Sequence, residues 1–176
     1  MGYIKANLFI SLDGVIESPE TWHFDYFNDE MGAVVGEAMA DADATLLGRQ
    51  TYDEFASYWP NADPEDPFTA QMNGARKYVV SNTLKDPAWE NTSVATVDEL
   101  RELKNDVKLS TTGSATLVRS LLEQGLVDEL HLLVHPVVVG KGKKLFEDGA
   151  KVPLKLVKSD TFSTGVLHLV YAPAGD

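Results

Sequence analysis

The segment Leu46-Leu47-Gly48-Arg49-Gln50-Thr51-Tyr52 sets a glycine, an arginine and a threonine where an apolar run gives way to a polar one. This predicts a strand, a turn and a helix start. The first turn of a helix has N–H groups without partners inside the helix, and these suit a phosphate. Arg49 offers a charged fork and Thr51 a hydroxyl. Thr111-Thr112-Gly113-Ser114-Ala115-Thr116 forms a second junction of the same kind. Gly113 permits close backbone approach, and Ser114 either caps the following helix or donates to a phosphate. Each junction alone reads equally well as an ordinary helix entry. Two of them, both after strands, point toward a nucleotide cleft. Neither is the full dinucleotide fingerprint.

Acid–base candidates are less sharply marked. Asp13 sits in the turn Ser11-Leu12-Asp13-Gly14 and serves either chemistry or a turn cap. Asp25 lies in the aromatic run Trp22-His23-Phe24-Asp25-Tyr26-Phe27. That run lines a substrate pocket, which would raise the Asp25 pKa by desolvation, or packs a loop onto the core. His131 and His135 share a strand face without metal-site spacing, and His168 belongs to a terminal strand. Ser11, Asp13 and His23 are too generic for a hydrolase triad, and no Gly-x-Ser-x-Gly elbow occurs. Gly140-Lys141-Gly142-Lys143-Lys144 lacks the phosphate-loop pattern and reads as a basic structural loop whose lysines attract anions.

The elements around these segments alternate. Strands are expected at Tyr3 to Leu12, Ala44 to Leu47, Lys77 to Ser81, Asn91 to Ala95 and Val107 to Ser110. Further strands are expected within Val127 to Val139, bent around Pro136, then at Lys155 to Lys158 and Val166 to Tyr171. Helices fit Glu30 to Ala40, about Gln50 or Thr51 to about Ser57, Asp98 to Lys104, and the stripe Leu117, Val118, Leu121 and Leu122. Thr51 and Glu54 have capping-box spacing, and Gly125 suits a helix end. The patch Pro60 to Pro67 stops a helix and either joins elements or covers a cleft. The expectation is one α/β domain over residues 1–176, with helices layered on a mixed sheet.

The chain has 176 residues, enough for a substantial core, and 44% of them are hydrophobic. Its formal charge is -12, from 15 basic and 27 acidic residues, which disfavours nucleic acid and anionic membranes. An anionic cofactor is still compatible, because local N–H groups and one arginine outweigh a screened distant field. With no cysteine, disulfides, cysteine-based metal sites and a cysteine nucleophile are excluded. No apolar run approaches membrane-spanning length, and a soluble cytoplasmic protein is the expectation.

In the order of its motifs the chain resembles the reductase-domain family related to the C-terminal domain of the bacterial riboflavin-biosynthesis deaminase/reductase. The resemblance runs from about Tyr3 to Tyr171. It is carried by Ser11-Leu12-Asp13-Gly14, Leu47-Gly48-Arg49-Gln50-Thr51-Tyr52 and Gly113-Ser114-Ala115-Thr116-Leu117. The strongest stretch is Leu121-Leu122-Glu123-Gln124-Gly125-Leu126-Val127-Asp128-Glu129-Leu130, followed by Pro136-Val137-Val138-Val139-Gly140-Lys141-Gly142 and Leu145-Phe146.

The resemblance implies a dihydrofolate-reductase-like three-layer α/β fold, with a mixed, mostly parallel sheet flanked by helices, often in a homodimer. It also implies NADPH as cofactor and reduction of a small polar heterocyclic or carbonyl substrate, as in 5-amino-6-(5-phosphoribosylamino)uracil reductases. Gly48, Arg49 and Thr51 match the family's cofactor junction, with Arg49 toward the 2′-phosphate and Thr51 toward the pyrophosphate. Ser81 and Asn82 match the strand end near the adenosine half. Gly113, Ser114, Ala115 and Thr116 match the second phosphate junction, here thinned to one glycine. Trp22 and Asp25 are similar to the substrate side of the folate enzyme, although no Met-Pro-Trp lid motif occurs. Asp25 and Asp13 are the candidate catalytic carboxylates. Two other readings stay open: a catalytically inactive nucleotide-binding or assembly domain, and a metal hydrolase using aspartates with His23.

Overall fold

The computed structural model describes residues 1–175. In chain order the elements are β1 (Tyr3–Ser11), α1 (Asp29–Asp41), β2 (Ala44–Gly48), α2 (Arg49–Tyr58), α3 (Pro67–Gly74), β3 (Lys77–Val80) and β4 (Thr92–Ala95). There follow α4 (Val97–Asp106), β5 (Lys108–Thr111), α5 (Ala115–Glu123), β6 (Glu129–His135), β7 (Leu154–Thr161) and β8 (Leu167–Pro173). The strands form one eight-stranded sheet in the order β4-β3-β2-β5-β1-β6-β8-β7. The pairs from β4 through β6 are parallel. β8 joins antiparallel to both β6 and β7. This is the expected mixed, mostly parallel sheet.

Alternation along the strands divides the two sheet faces. Ile4, Ala6, Leu8 and Ile10 of β1 pack with Leu109, Leu130 and Leu132 in one large cluster. Leu100 of α4 and Leu117, Val118 and Leu121 of α5 cover that face. Fully burying such a side chain is worth about 1.5–3 kcal/mol, which makes this layer the main anchor. The opposite face carries two separate clusters. Met31, Val34 and Val35 of α1 cover Phe9, Leu133, Phe162 and Val166. Tyr52, Phe55 and Met72 from α2 and α3 cover Leu47, Val79 and Trp89. The gap between those clusters lies over β5 and its neighbours, and there a cleft opens.

Local signals explain most boundaries. Thr96 and Glu99 close a full capping box at the start of α4. Ser114 caps α5 by accepting from Leu117 N, and Gly125 follows with φ 66 as the left-handed residue beyond the helix end.

Two expectations are corrected, and a helix is added inside the Pro-rich patch, which ends α2 as expected. The Thr51/Glu54 capping box does not form, because the cap of α2 is Gly48, three residues before Thr51, and it makes no side-chain cap bond. Within the Pro-rich patch Asp66 caps α3 and Pro67 occupies its first turn, where a missing N–H costs nothing. β6 stops at His135 rather than bending through Pro136.

Candidate active site

The two glycine junctions meet. β2 and β5 are adjacent parallel strands, and their following helices leave to opposite faces, so their C-terminal ends form a topological switch point. Gly48 N donates to Gly113 O over 3.0 Å. A Cβ added at Gly48 would collide with Ser114 Oγ and would lie 2.8 Å from Ser114 N. A Cβ at Gly113, whose φ is 147, would lie 3.3 Å from Thr51 Oγ1. The Gly113–Ser114 peptide is cis. Thr51, Gly113, Ser114 and Ala115 all line one cleft of about 760 Å³.

The arginine is held for a second contact. Arg49 Nε donates to both oxygens of Asp53 at 3.0 Å, and Nη1 reaches Thr83 Oγ1 at 3.3 Å. Ser81 Oγ accepts from Thr83 N at 3.1 Å and from Leu84 N at 3.0 Å, shaping the turn after β3. Arg49, Ser81 and Thr83 thus sit together, with Asn82 exposed in the same turn, and none of the four is among the residues lining the cleft. Thr83 was not foreseen, since its part depends on a turn that only Ser81 defines. Thr116, in the first turn of α5, lies 3.5 Å from Arg119 Nη2.

The basic loop crosses the cleft. Lys143 Nζ donates to Gln50 Oε1 at 2.6 Å, and both residues line the cavity. Lys143 N donates to Glu17 Oε2 at 2.9 Å, and Val15 bridges Lys144. The segment after β1 and the loop after β6 are therefore zipped together over the cleft. Lys143 places its ammonium beside the first turn of α2.

Asp13 belongs to this zipper. Its carboxylate accepts from Ser11 Oγ at 2.6 Å, from Gly140 N at 2.9 Å and from Val139 N at 3.1 Å. The bond from Ser11 and those two amides hold its pKa down to about 2. An acid clamped in this way keeps its negative charge and ties two loops, which is a different role from proton donation.

Asp25 is also placed differently from expectation. The aromatic run turns through a short 3-10 segment, Phe24–Tyr26, that buries Trp22 and His23 and leaves Asp25 exposed. Asp25 is not part of the cleft lining. Trp22 is likewise off the cleft. Its Nε1 donates to Glu17 O at 3.2 Å, and its ring meets His135 edge-on at 5.1 Å. It props the segment that lines the entrance.

The histidines gather on the cleft side of the sheet. His131 and His168 line the cavity, 3.1 Å apart between Nδ1 and Nε2. His131 Nε2 lies 2.8 Å from Glu129 Oε2, and an ionised carboxylate can only accept. Burial works against the Glu129 charge, but the His131 bond and the nearby Lys5 outweigh it and lower the pKa. His131 therefore donates from Nε2 to Glu129, and its Nδ1 meets His168 Nε2. The remaining His168 Nδ1 is buried without a partner. His23 stacks on Phe9 at 4.6 Å rather than joining aspartates. Among the described residues no group of three or more His, Asp or Glu is placed to hold a metal. No helix among them is long and apolar enough to cross a membrane.

Comparison with known proteins follows this geometry. A family model described as the RibD C-terminal domain matches residues 2–168. The uncharacterized protein YyaP of Bacillus subtilis is 33% identical over 180 residues, covering 96% of this chain and 93% of that one. A crystal structure from Shewanella sp. PV-4, named for riboflavin biosynthesis, shares the fold with a TM-score of 0.76 at 23% identity, over 99% of this chain and 100% of that one. A Thermotoga maritima diaminohydroxyphosphoribosylaminopyrimidine deaminase/5-amino-6-(5-phosphoribosylamino)uracil reductase matches with a TM-score of 0.68 at 17% identity. It covers 98% of this chain, which spans 57% of that longer protein.

Proposed function

The chain belongs to the RibD C-terminal domain family, and on that footing we propose that it is an NADPH-dependent reductase of a small polar heterocyclic or carbonyl substrate. The observation that carries this reading is the contact of Gly48 with Gly113 and Ser114, which leaves no room for a side chain between the two junctions. The residues fit a dinucleotide. The first-turn N–H groups of α2, with Thr51 and Ser114, hold the diphosphate. Lys143 adds a positive charge beside it. Arg49, with Thr83, Ser81 and Asn82, holds the 2′-phosphate end. Nicotinamide supplies the hydride, and the chain's part is to fix donor and acceptor close together and exclude water.

The experiment is a titration of the purified protein with NADPH and NADH, followed by cofactor fluorescence. Saturable NADPH binding, tighter than NADH binding, is expected. Absence of saturation, or equal affinity for both, overturns the proposal. Turnover is then read as NADPH oxidation with pterins, ribitylamino-uracil precursors, quinones and small carbonyls.

One observation favours a second reading, a nucleotide-binding domain without catalysis. Of the two carboxylates that offered acid–base chemistry, Asp13 is clamped and Asp25 is exposed away from the cleft. Tight NADPH binding without turnover across those substrates would select it. Pairing of two copies along the exposed outer edge of β7 belongs to either reading, and sedimentation measures it.

A further inference from the structure

Residues two apart on a strand share a face, so Glu129, His131 and Leu133 of β6 lie on the same side of the sheet, and His131 and Leu133 line the cleft. β8 runs antiparallel beside β6 and brings His168 opposite Leu133, while β7 brings Asp160 opposite His168. Four titratable side chains therefore form a row across three strands. Glu129 Oε2 lies 2.8 Å from His131 Nε2, and His131 Nδ1 lies 3.1 Å from His168 Nε2. At the other end His168 Nδ1 lies 3.9 Å from Asp160 Oδ2.

The row has one open place for a proton. A neutral imidazole carries one N–H, and an ionised carboxylate carries none. Of the two N–H groups on a neutral pair, one goes to Glu129 and the other to the bond between the rings. His168 Nδ1 is then a bare acceptor facing a carboxylate. It is buried without a partner, on a residue only 4% exposed. One further proton on the pair puts a donor opposite Asp160 and gives every ring nitrogen a role. A second would set two N–H groups against each other between the rings. The pair thus has room for one extra proton and not two.

Charged groups from three other strands and helices face this row. Burial pulls the His168 pKa below the ordinary 6.5, and His131 and Lys158 act in the same direction, against Asp160 and Glu37 of α1. Lys158 is itself paired with Asp160 at 2.8 Å. Glu129 is paired with Lys5 of β1 at 3.3 Å, and Asp41 of α1 meets Lys5 at 3.4 Å and Lys108 at 3.1 Å. Around the pair itself the cleft lining is uncharged, with Asn7 and Phe9 of β1, Leu133, and Val34 and Val35 of α1. The cationic side chains of the lining lie elsewhere. Arg76 rests on the Tyr78 ring, 4.9 Å from its centroid, and Lys143 is bonded to Gln50 of α2.

We propose that His131 and His168 form a one-proton switch in the cleft wall: the charged pair favours an anionic group of a ligand at this end of the cleft, and the neutral pair does not. The switch stands whether or not the cleft takes a dinucleotide, so its failure and that of the reductase reading are separate results.

Proton NMR of the histidine ring signals in the full chain, followed against pH and assigned with His131→Gln and His168→Gln, tests this. The two rings are expected to report one shared transition, with uptake of one proton, at a midpoint below 6.5. Sulfate keeps its charge over this range. Compared with chloride at equal ionic strength, it is expected to raise the midpoint by roughly half a pH unit, and Asp160→Asn to lower it by a similar amount. By reciprocity, sulfate binding read by calorimetry should tighten roughly threefold as the pair charges, in the wild type and not in His168→Gln. Two independent transitions, or no transition at either ring before the chain unfolds, overturn the switch in the wild-type protein alone. A midpoint that sulfate leaves in place overturns the anion preference, and one unchanged in Asp160→Asn removes the carboxylate from the row.

Discussion

The amide of Gly48 donates to the carbonyl of Gly113 over 3.0 Å, which ties the end of β2 to the turn after β5. Gly48 has an ordinary φ of -71, and its glycine identity is required by space rather than by backbone conformation. Gly48→Ala would push a methyl against Ser114 and part the two junctions. Overpacking of this kind costs about 1–3 kcal/mol. The expected outcome is a lower urea midpoint together with NADPH affinity weakened by roughly tenfold or more.

Arg49 is already oriented by Asp53 and Thr83, so a 2′-phosphate gains a guanidinium without ordering it first. Hydrogen bonds to charged groups contribute about 1.5–3 kcal/mol. Arg49→Glu is therefore expected to weaken NADPH by roughly tenfold to a hundredfold and NADH much less. Equal weakening of both, measured by fluorescence titration, would remove the phosphate role from this residue.

The parts of the site that the sequence made legible are those set by local rules. A glycine between a strand and a helix marks a junction wherever it occurs, and both junctions were found by that rule. Their meeting at the switch point depends on strand order, which only the fold defines. Helix α3 is hidden in the sequence because Pro60 and Pro67 read as helix breakers. The signal that would have found it is Asp66-Pro67, a cap followed by a proline in the first helical turn. Asp25 was misplaced because an aromatic neighbourhood in sequence was taken for one in space. Burial goes to the consecutive pair Trp22 and His23, just before the 3-10 segment, while Phe24 and Asp25 within it are exposed.

Asp13 supports a prediction of pH dependence. Its folded pKa, lowered from 3.8 to about 2, lies below its unfolded value. Its contribution to stability is thus fully present above pH 3.8 and is lost as the pH falls toward 2. Asp13→Asn should lower the melting temperature at neutral pH and flatten the decline through that acid window. The same loss of stability in both proteins as the pH falls would show that the clamp does not depend on charge.

Lys77 is almost wholly buried at the C-terminal end of α3. Its ammonium donates to the carbonyls of Met72, Asn73 and Ala75 at 3.0, 3.2 and 2.6 Å and lies 4.2 Å above the Trp89 ring. Burial pulls its pKa down to about 8, and the carbonyl dipoles and the ring favour the charged form. Lys77→Met fills much the same volume but leaves buried carbonyls without donors. A loss of about 1–3 kcal/mol is expected at neutral pH, read from urea unfolding. A neutral result would mean that α3 ends in water rather than on this side chain.

His135 is one of three buried histidines whose lowered pKa bears on the fold's response to mild acid. It is wholly buried among Phe9, Trp22, His23 and Tyr26, with Nδ1 2.8 Å from Leu133 O and Nε2 without a partner. Burial lowers its pKa below the ordinary 6.5, and burial does the same at His23 and His168. A histidine lowered in the folded state is protonated first in the unfolded chain. Stability therefore holds above pH 6.5 and falls as the pH drops below it. His135→Phe keeps an aromatic ring in the box, removes a titrating group and removes the unpaired nitrogen, at the cost of one hydrogen bond to Leu133. The difference in urea midpoint across pH 6.5 is expected to shrink in this variant. An unchanged difference would place the acid sensitivity on His23 and His168, and the double variant with His168→Gln would then locate it.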